Sequence, residues 1–120
     1  MIEDDELVRR AACEVLEDQG CTAVEAASAN QGIEILAARG DIAVAFIDTD
    51  LPGAPSGADL VRLLVRQAPW VSVVATSGFA LSPEVGHRFL AKPYGAEEMV
   101  EMVLGAANDA RARAQAASGK

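Results

Sequence analysis

The sequence contains few aromatic residues and one histidine, and both scarcities restrict what the chain can be. Only 4% of its 120 residues are aromatic, so the core must consist mainly of Ala, Val, Leu and Ile. His87 has no partner cluster of histidines or cysteines, which argues against a zinc-type site. Cys13 and Cys21 also lack a metal-ligand spacing, and we expect both to be reduced, small apolar residues.

Long apolar runs and a basic surface are missing as well. No segment approaches the ~20 apolar residues of a transmembrane helix, and no signal-peptide pattern opens the chain. We therefore expect a cytoplasmic protein without a membrane partner. The formal net charge of −8 argues against nonspecific binding of nucleic acid. A chain of this length is expected to form one domain with a single core.

The most informative stretch is the apolar run that starts at Ile42 and leads into Asp48 and Asp50. A short apolar run bounded by turn signals, here Pro52, is typical of a strand buried on both faces of a parallel sheet. Asp48 would then lie at the carboxyl end of that strand, where open α/β sheets bind ligands. A carboxylate in this position is either functional or the cap of a helix.

Helical and strand patterns alternate along the rest of the chain. Helices are predicted from Leu7 to Gly20, from a capping box at Ser28 to Gly40, over residues 59–67, and from Gly95 onward. Strands are predicted over residues 21–26, 71–76 and 88–91, with a loop at 52–57 and at most one helical turn in 79–87. This alternation predicts a doubly wound parallel sheet. We expect a domain over residues 1–107, and over 108–120 the end of the last helix and a frayed tail.

Polar side chains follow the predicted strands at Glu3 and Asp4, Asp48, Thr76 and Lys92. Because the carboxyl ends of parallel strands share one edge, these groups are expected to converge. Carboxylates within ~4–6 Å repel by roughly 1 kcal/mol per pair in water, so three together favour a bound cation. Oxygen ligands suit Mg²⁺ or Mn²⁺. With an ammonium and a hydroxyl beside them, they describe a site for a phosphoryl group on a carboxylate.

Each of these residues also has a simpler interpretation when it is taken alone. Glu3 and Asp4 could cap the first helix, Lys92 could be a solvated lysine before a turn, and Asp50 could face solvent. The prediction of a phosphoryl site therefore depends on the combination.

That combination resembles a known family. Four motifs occur in the order and spacing of receiver domains of bacterial two-component response regulators: Glu3–Asp4, the run from Asp48 to Pro52, Thr76–Ser77–Gly78 and Lys92–Pro93. The resemblance covers essentially the whole chain, as in a stand-alone CheY-like receiver. The resemblance implies that Asp48 is the phosphoacceptor. It also implies that Glu3 and Asp4 help Asp48 to hold Mg²⁺ (or Mn²⁺), and that Thr76 and Lys92 contact the phosphoryl group.

The same resemblance extends to other positions and to partners. Phe89 matches the switch aromatic, Asp50 and Gly78 would modulate the site, and Pro93 would follow a cis peptide bond. The implied fold is a flavodoxin-like, five-stranded sheet of order 2-1-3-4-5. The implied reaction is phosphoryl transfer from a sensor histidine kinase or a histidine phosphotransfer protein, without enzymatic action on other substrates. A homodimer is possible.

The sequence departs from the family pattern in two places. Only Met1 and Ile2 precede the acidic pair, so the first strand should be truncated; its missing residues could lie upstream, another chain could supply them, or the domain could be weakened. Only thirteen positions separate Thr76 from Phe89, so the fourth helix should be short.

Two other functions stay open at this point. The chain could be a receiver-like interaction module that no longer switches by phosphorylation. It could also be a phosphotransferase of the haloacid dehalogenase type, because Asp48 and Asp50 mimic the spacing of that nucleophile and its acid–base partner. The short chain, which has no cap segment, disfavours this last hypothesis.

Overall fold

The computed structural model describes residues 1–51, 57–78 and 88–118. Within them the chain forms four helices and three strands, in the order α1 (Glu6–Asp18), α2 (Ala29–Ala38), β1 (Val44–Asp48), α3 (Gly57–Gln67), β2 (Ser72–Ser77), β3 (Arg88–Ala91) and α4 (Ala96–Ser118). The predictions for most of the loop at 52–57 and for the segment 79–87, including the short fourth helix, lie outside the described residues. Gly57 already belongs to α3, so that loop ends one residue earlier than predicted.

The three strands form one parallel sheet in the order β1-β2-β3. The predicted apolar run becomes β1, and its residue Ile47 is completely buried. Successive side chains of β1 point to opposite faces: Ile47 packs with Leu36 and Leu60 from α2 and α3, and Phe46 packs with Leu16 and Met99 from α1 and α4. The sheet is therefore covered on both faces, as its apolar strands predict.

The first two strands of the expected order are reduced to single bridges. Ile2 pairs in parallel with Ala26 on one side and with Ile47 on the other. Its amide donates to the Phe46 carbonyl at 2.8 Å, and its carbonyl accepts from the Asp48 amide at 2.9 Å. The strand predicted over residues 21–26 is wrong in extent, because only Ala26 of this stretch forms a bridge, with Ile2. The described residues thus contain three strands where five were expected.

A cavity of about 530 Å³ adjoins this short segment. It lies between the segment 21–26 and the first half of β1, at the amino edge of the sheet. Apolar side chains contribute much of its lining, among them Val24, Leu36, Val44, Ala45 and Leu104. The amino edge of the sheet is therefore incompletely filled beside β1.

The last helix, α4, continues to Ser118, and the sequence pattern predicts the end of this helix and a frayed tail over residues 108–120. Ala106 and Ala110 are buried, and Arg113 donates to the Ser72 hydroxyl at 2.8 Å, so packing against β2 holds this part of the helix. The division of the chain at residue 107 stays a prediction. None of the helices in the described part of the chain is long and apolar enough to cross a membrane.

Candidate functional site

Five predicted site residues come together at the carboxyl edge of the sheet. Asp48 is the last residue of β1, and Thr76 is its partner in the register with β2. Lys92 directly follows β3. The hydrogen bonds of Ile2 and Glu3 bring Glu3 and Asp4 to the same edge. The fold therefore brings these five residues to one edge of the sheet, as their positions at the strand ends predict.

Asp48 is buried and ion-paired. It is only 5% exposed, and its Oδ1 accepts from Lys92 Nζ at 2.9 Å and from the Asp50 amide at 2.9 Å. Burial acts to raise the pKa of Asp48, but hydrogen bonds from Glu3, Lys92 and the Asp50 amide outweigh it, and the pKa is lowered. Burial similarly opposes the charge on Lys92, but the neighbouring carboxylates prevail and raise its pKa. Asp48 is therefore an ionised carboxylate beside a fixed positive charge.

Glu3, Asp4 and Asp48 form a candidate cation site. Each offers a carboxylate oxygen, and these oxygens lie within 4.8 Å of one another. Burial, followed by the nearby Asp48 carboxylate, raises the pKa of Glu3 to about 8. The capping alternative does not apply, because Asp5 caps α1 through bonds from the amides of Leu7 and Val8. An oxygen-only cluster with one proton-holding acid fits a hard divalent cation, whose charge would replace that proton.

The Thr76 hydroxyl is bonded to β3. It donates to the Leu90 carbonyl of β3 at 2.7 Å, and the residue is 2% exposed. The Thr76 carbonyl accepts from both the amide and the hydroxyl of Thr49 at 2.9 Å. Thr76 therefore couples the loop after β1 to the strand that carries Phe89, which is itself 37% exposed.

Asp50 does not simply face solvent, as one sequence interpretation had it. Its Oδ1 accepts from the Ser77 hydroxyl at 2.6 Å, and its Oδ2 from the Gly78 amide at 2.8 Å. Lys92 Nζ lies 3.5 Å from Oδ2. Burial acts to raise the pKa of Asp50, but these bonds lower it. Ser77 was missed as a site residue, although a polar residue at the end of a buried strand was a signal for it.

Two further features complete the site. The Lys92–Pro93 peptide bond is cis, the geometry that the family resemblance implies. Tyr94, which the sequence did not single out, packs edge-on against Phe46 with ring centroids 5.8 Å apart. Burial raises the pKa of the Tyr94 hydroxyl, so Tyr94 is an uncharged side chain beside the acidic cluster.

Comparison with known proteins agrees with this geometry. The family model described as "Response regulator receiver domain" matches residues 1–104. No curated protein sequence matches the chain significantly. Among solved structures, a CheY-like receiver domain protein from Methanospirillum hungatei is 19% identical with a TM-score of 0.84, over 93% of this chain and 94% of that one. A receiver domain protein from Clostridium thermocellum is 24% identical with a TM-score of 0.82, over 92% and 93%.

A longer protein contains a similar domain. NtrX from Brucella abortus is 21% identical with a TM-score of 0.82, over 97% of this chain but only 28% of its own. Because each of these identities is below 25%, these likenesses concern the fold alone.

Proposed function

The chain belongs to the response regulator receiver domain family, and from this premise we propose that it accepts a phosphoryl group on Asp48. The donor is the phosphohistidine of a sensor histidine kinase or of a histidine phosphotransfer protein. Receiver domains are generally not enzymes that act on other substrates, and the chemistry proposed here concerns only the chain's own carboxylate.

One observation carries the proposal: a buried, ionised Asp48 is paired with Lys92 at 2.9 Å beside two further carboxylates. A carboxylate whose pKa is lowered is available as a nucleophile at neutral pH. Lys92 can follow the charge from the carboxylate to a phosphoryl oxygen, because a lysine ammonium on its flexible stem tolerates such a shift. A merely structural ion pair would not explain why Glu3 is buried in the same cluster.

In the transfer, a carboxylate oxygen of Asp48 bonds to phosphorus while the bond from phosphorus to the donor imidazole nitrogen breaks. The electron pair of that bond stays with the imidazole. Hydrolysis later adds a water oxygen to phosphorus, breaks the acyl phosphate and restores Asp48 with release of phosphate. Glu3, Asp4 and Asp48 would hold Mg²⁺ (or Mn²⁺), which supplies positive charge to the phosphoryl oxygens when it is bound.

Thr76 and Phe89 provide the conformational response. A phosphoryl group adds about −1.5 to −2 charges, and this charge would draw the Thr76 hydroxyl away from the Leu90 carbonyl. Leu90 is the neighbour of Phe89, whose ring is partly exposed at rest. Loss of the Thr76 bond therefore frees β3 to let Phe89 turn inward, which gives two discrete arrangements.

The start of α1 is the surface that we assign to the phosphohistidine partner. Leu7 and Val8 are 83% and 43% exposed and directly follow the acidic pair. An apolar groove that includes Val8, Lys92 and Tyr94 continues from them into the site. Leu7→Glu should slow phosphorylation by a protein donor and leave phosphorylation by a small phosphodonor unchanged; equal slowing of both would argue against this surface.

The proposed function is tested by incubating the protein with acetyl phosphate, with and without Mg²⁺, and measuring its intact mass. Wild type should gain one phosphoryl group only when Mg²⁺ is present, and Asp48→Asn should gain none. Asp41→Asn is the matched control, because Asp41 pairs with Arg39 on an exposed surface away from the site. Absence of incorporation into wild type would instead favour the interaction module that no longer switches.

A further inference from the structure

Four hydrogen bonds join the loop after β1 to the carboxyl end of β2 and to Gly78, which directly follows β2. Two run from the Thr49 amide and hydroxyl to the Thr76 carbonyl. The other two run from the Ser77 hydroxyl and the Gly78 amide to the two carboxylate oxygens of Asp50, at 2.6 Å and 2.8 Å. The Asp50 carboxylate thus accepts hydrogen bonds from the Ser77 side chain and from the Gly78 backbone at the same time.

Asp50 is also tied to the phosphoacceptor. Its amide donates to Asp48 Oδ1 at 2.9 Å, the same oxygen that Lys92 binds. Its carboxylate lies 3.5 Å from Lys92 Nζ, so two carboxylates share one ammonium. The Asp50 side chain is 25% exposed, so water screens its charge only in part.

We propose that Asp50 is a positioning residue that latches Ser77 and Gly78 in the resting state, and that a phosphoryl group on Asp48 opens this latch. The inference rests on the proposed function of Asp48. Phosphorylation would draw Lys92 toward the phosphoryl oxygens and place new negative charge beside Asp50. Asp50 would then lose the Lys92 counter-charge and would also be repelled by the phosphoryl group. Both effects favour movement of its carboxylate away from Asp48.

Opening of the latch has a defined consequence for the end of β2 and for Gly78. Ser77 directly follows Thr76, so any displacement of Thr76 toward a phosphoryl group must carry Ser77 and Gly78 with it. The bonds to Asp50 oppose that displacement at rest. Asp50 therefore sets how readily the resting arrangement gives way, and substitutions that break its two bonds should favour the phosphorylated form.

Two substitutions of Asp50 separate its bonds from its charge. Asp50→Ala removes both acceptors. Asp50→Asn removes the charge but keeps an oxygen that can accept from the Gly78 amide and an amide group that can donate to the Ser77 oxygen. Asp41→Ala, at an exposed ion pair with Arg39, controls for the loss of one negative charge elsewhere.

The experiment measures hydrogen exchange of the Gly78 amide by heteronuclear NMR on the full, isotope-labelled chain, at rest and with acetyl phosphate and Mg²⁺. At rest, exchange should be about tenfold faster in Asp50→Ala than in wild type, since a hydrogen bond to a charged group is lost. Asp50→Asn should lie closer to wild type, and Asp41→Ala should match it. Phosphorylation should speed Gly78 exchange in wild type and leave Asp50→Ala unchanged.

Two results would overturn the latch: equal resting exchange in wild type and Asp50→Ala, or unchanged Gly78 exchange in wild type that has been phosphorylated. The amide spectrum of each variant shows whether it is folded, and Asp50→Asn gives a second comparison if Asp50→Ala is not. Intact mass, recorded in parallel, reports phosphorylation itself. If no phosphoryl group is gained, the proposed function fails and the opening step with it, whereas the resting comparison still shows whether Asp50 holds Gly78.

Discussion

The two edges of the sheet differ in how completely they are built. At the carboxyl edge, Asp48, Asp50 and Thr76 each have hydrogen-bond partners within 3 Å. At the amino edge, a cavity of about 530 Å³ lies beside a first strand that is represented by one bridging residue. The hydrogen-bonded polar groups are therefore concentrated at the carboxyl edge, whereas the cavity at the amino edge is lined largely by apolar side chains.

The difference teaches how little of a strand the site requires. Residues 1–3 make backbone bonds to Phe46, Asp48 and Ala26 at 2.8–3.0 Å, and these bonds suffice to hold Glu3 beside Asp48. Residues further from the carboxyl end would add buried apolar area and ladder bonds but no site group. Stability and site geometry are therefore separable in this fold, and the following predictions test that separation.

The largest effect is expected from Ile47→Ala in β1, and Ile42→Ala, just before the same strand, provides the comparison. The Ile47 side chain is completely buried in the core. Ile47→Ala should therefore lower the free energy of unfolding by about 3 kcal/mol. Ile42 is partly buried and borders the existing cavity, so Ile42→Ala should cost about 1 kcal/mol. Urea denaturation measures both. Equal losses would show that the amino edge is packed as well as the carboxyl edge.

A second prediction fills the cavity. Four apolar, β-branched residues placed before Met1 should extend the Ile2 pairing and raise the free energy of unfolding by about 2 kcal/mol. Four buried side chains contribute roughly 2 kcal/mol each, and ordering the four residues offsets about 1.5 kcal/mol each. Four Gly and Ser residues in the same place are the control. If both extensions leave the denaturation midpoint unchanged, the cavity does not accept a strand.

A third prediction concerns metal binding at the carboxyl edge. Mg²⁺ at about tenfold above its dissociation constant should stabilise wild type by about 1.4 kcal/mol. Glu3→Gln mimics the protonated acid, so it should fold normally and lose most of this gain. Thermal unfolding with Mg²⁺ and with EDTA distinguishes the two proteins. Equal stabilisation of both by Mg²⁺ would show that Glu3 is not a ligand of the cation.

The same measurement has a pH dependence of known sign. The pKa of Glu3 is raised from 4.5 to about 8 in the folded protein, so without a cation the folded state holds a proton that the unfolded state releases. Stability in EDTA should therefore fall as the pH rises through this window. Stabilisation by Mg²⁺ should grow over the same pH range, because fewer folded molecules then carry the Glu3 proton that Mg²⁺ must displace. Glu3→Gln should show neither trend.

The smallest effects compare polar contacts on the two edges. Thr49→Val removes a hydroxyl bond to the Thr76 carbonyl and should cost about 1 kcal/mol. Asp41→Asn removes an exposed ion pair with Arg39 at the other edge and should have no measurable effect, because water screens such pairs. The denaturation midpoints of both variants provide the test, and the reverse order would contradict it.

Local pattern predicted the parts of this fold that depend on local physics. The capping box at Ser28 exists, with the Gln31 amide donating to the Ser28 hydroxyl at 3.1 Å. The apolar run from Ile42 predicted a buried strand that ends at Asp48, and this prediction is confirmed. Both features need only residues that are close in sequence.

What local pattern did not predict depends on distant partners. The strand predicted over residues 21–26 is reduced to one bridge at Ala26, whose partner Ile2 lies far away in the sequence. The hydrogen-bond partners of Asp50 could not be predicted from local pattern, because Ser77 and Gly78 are 27 and 28 positions away. Spacing placed the site residues at one edge but could not state which of them bond to each other.

The central claim is that the carboxyl edge is a complete phosphoacceptor site although the amino edge is not filled. The most direct test is to treat wild type with acetyl phosphate and Mg²⁺, digest it, and map the phosphoryl group by mass spectrometry. We predict a single modified residue, Asp48, at close to one phosphoryl group per chain. No modification, or modification at another residue, would contradict the claim.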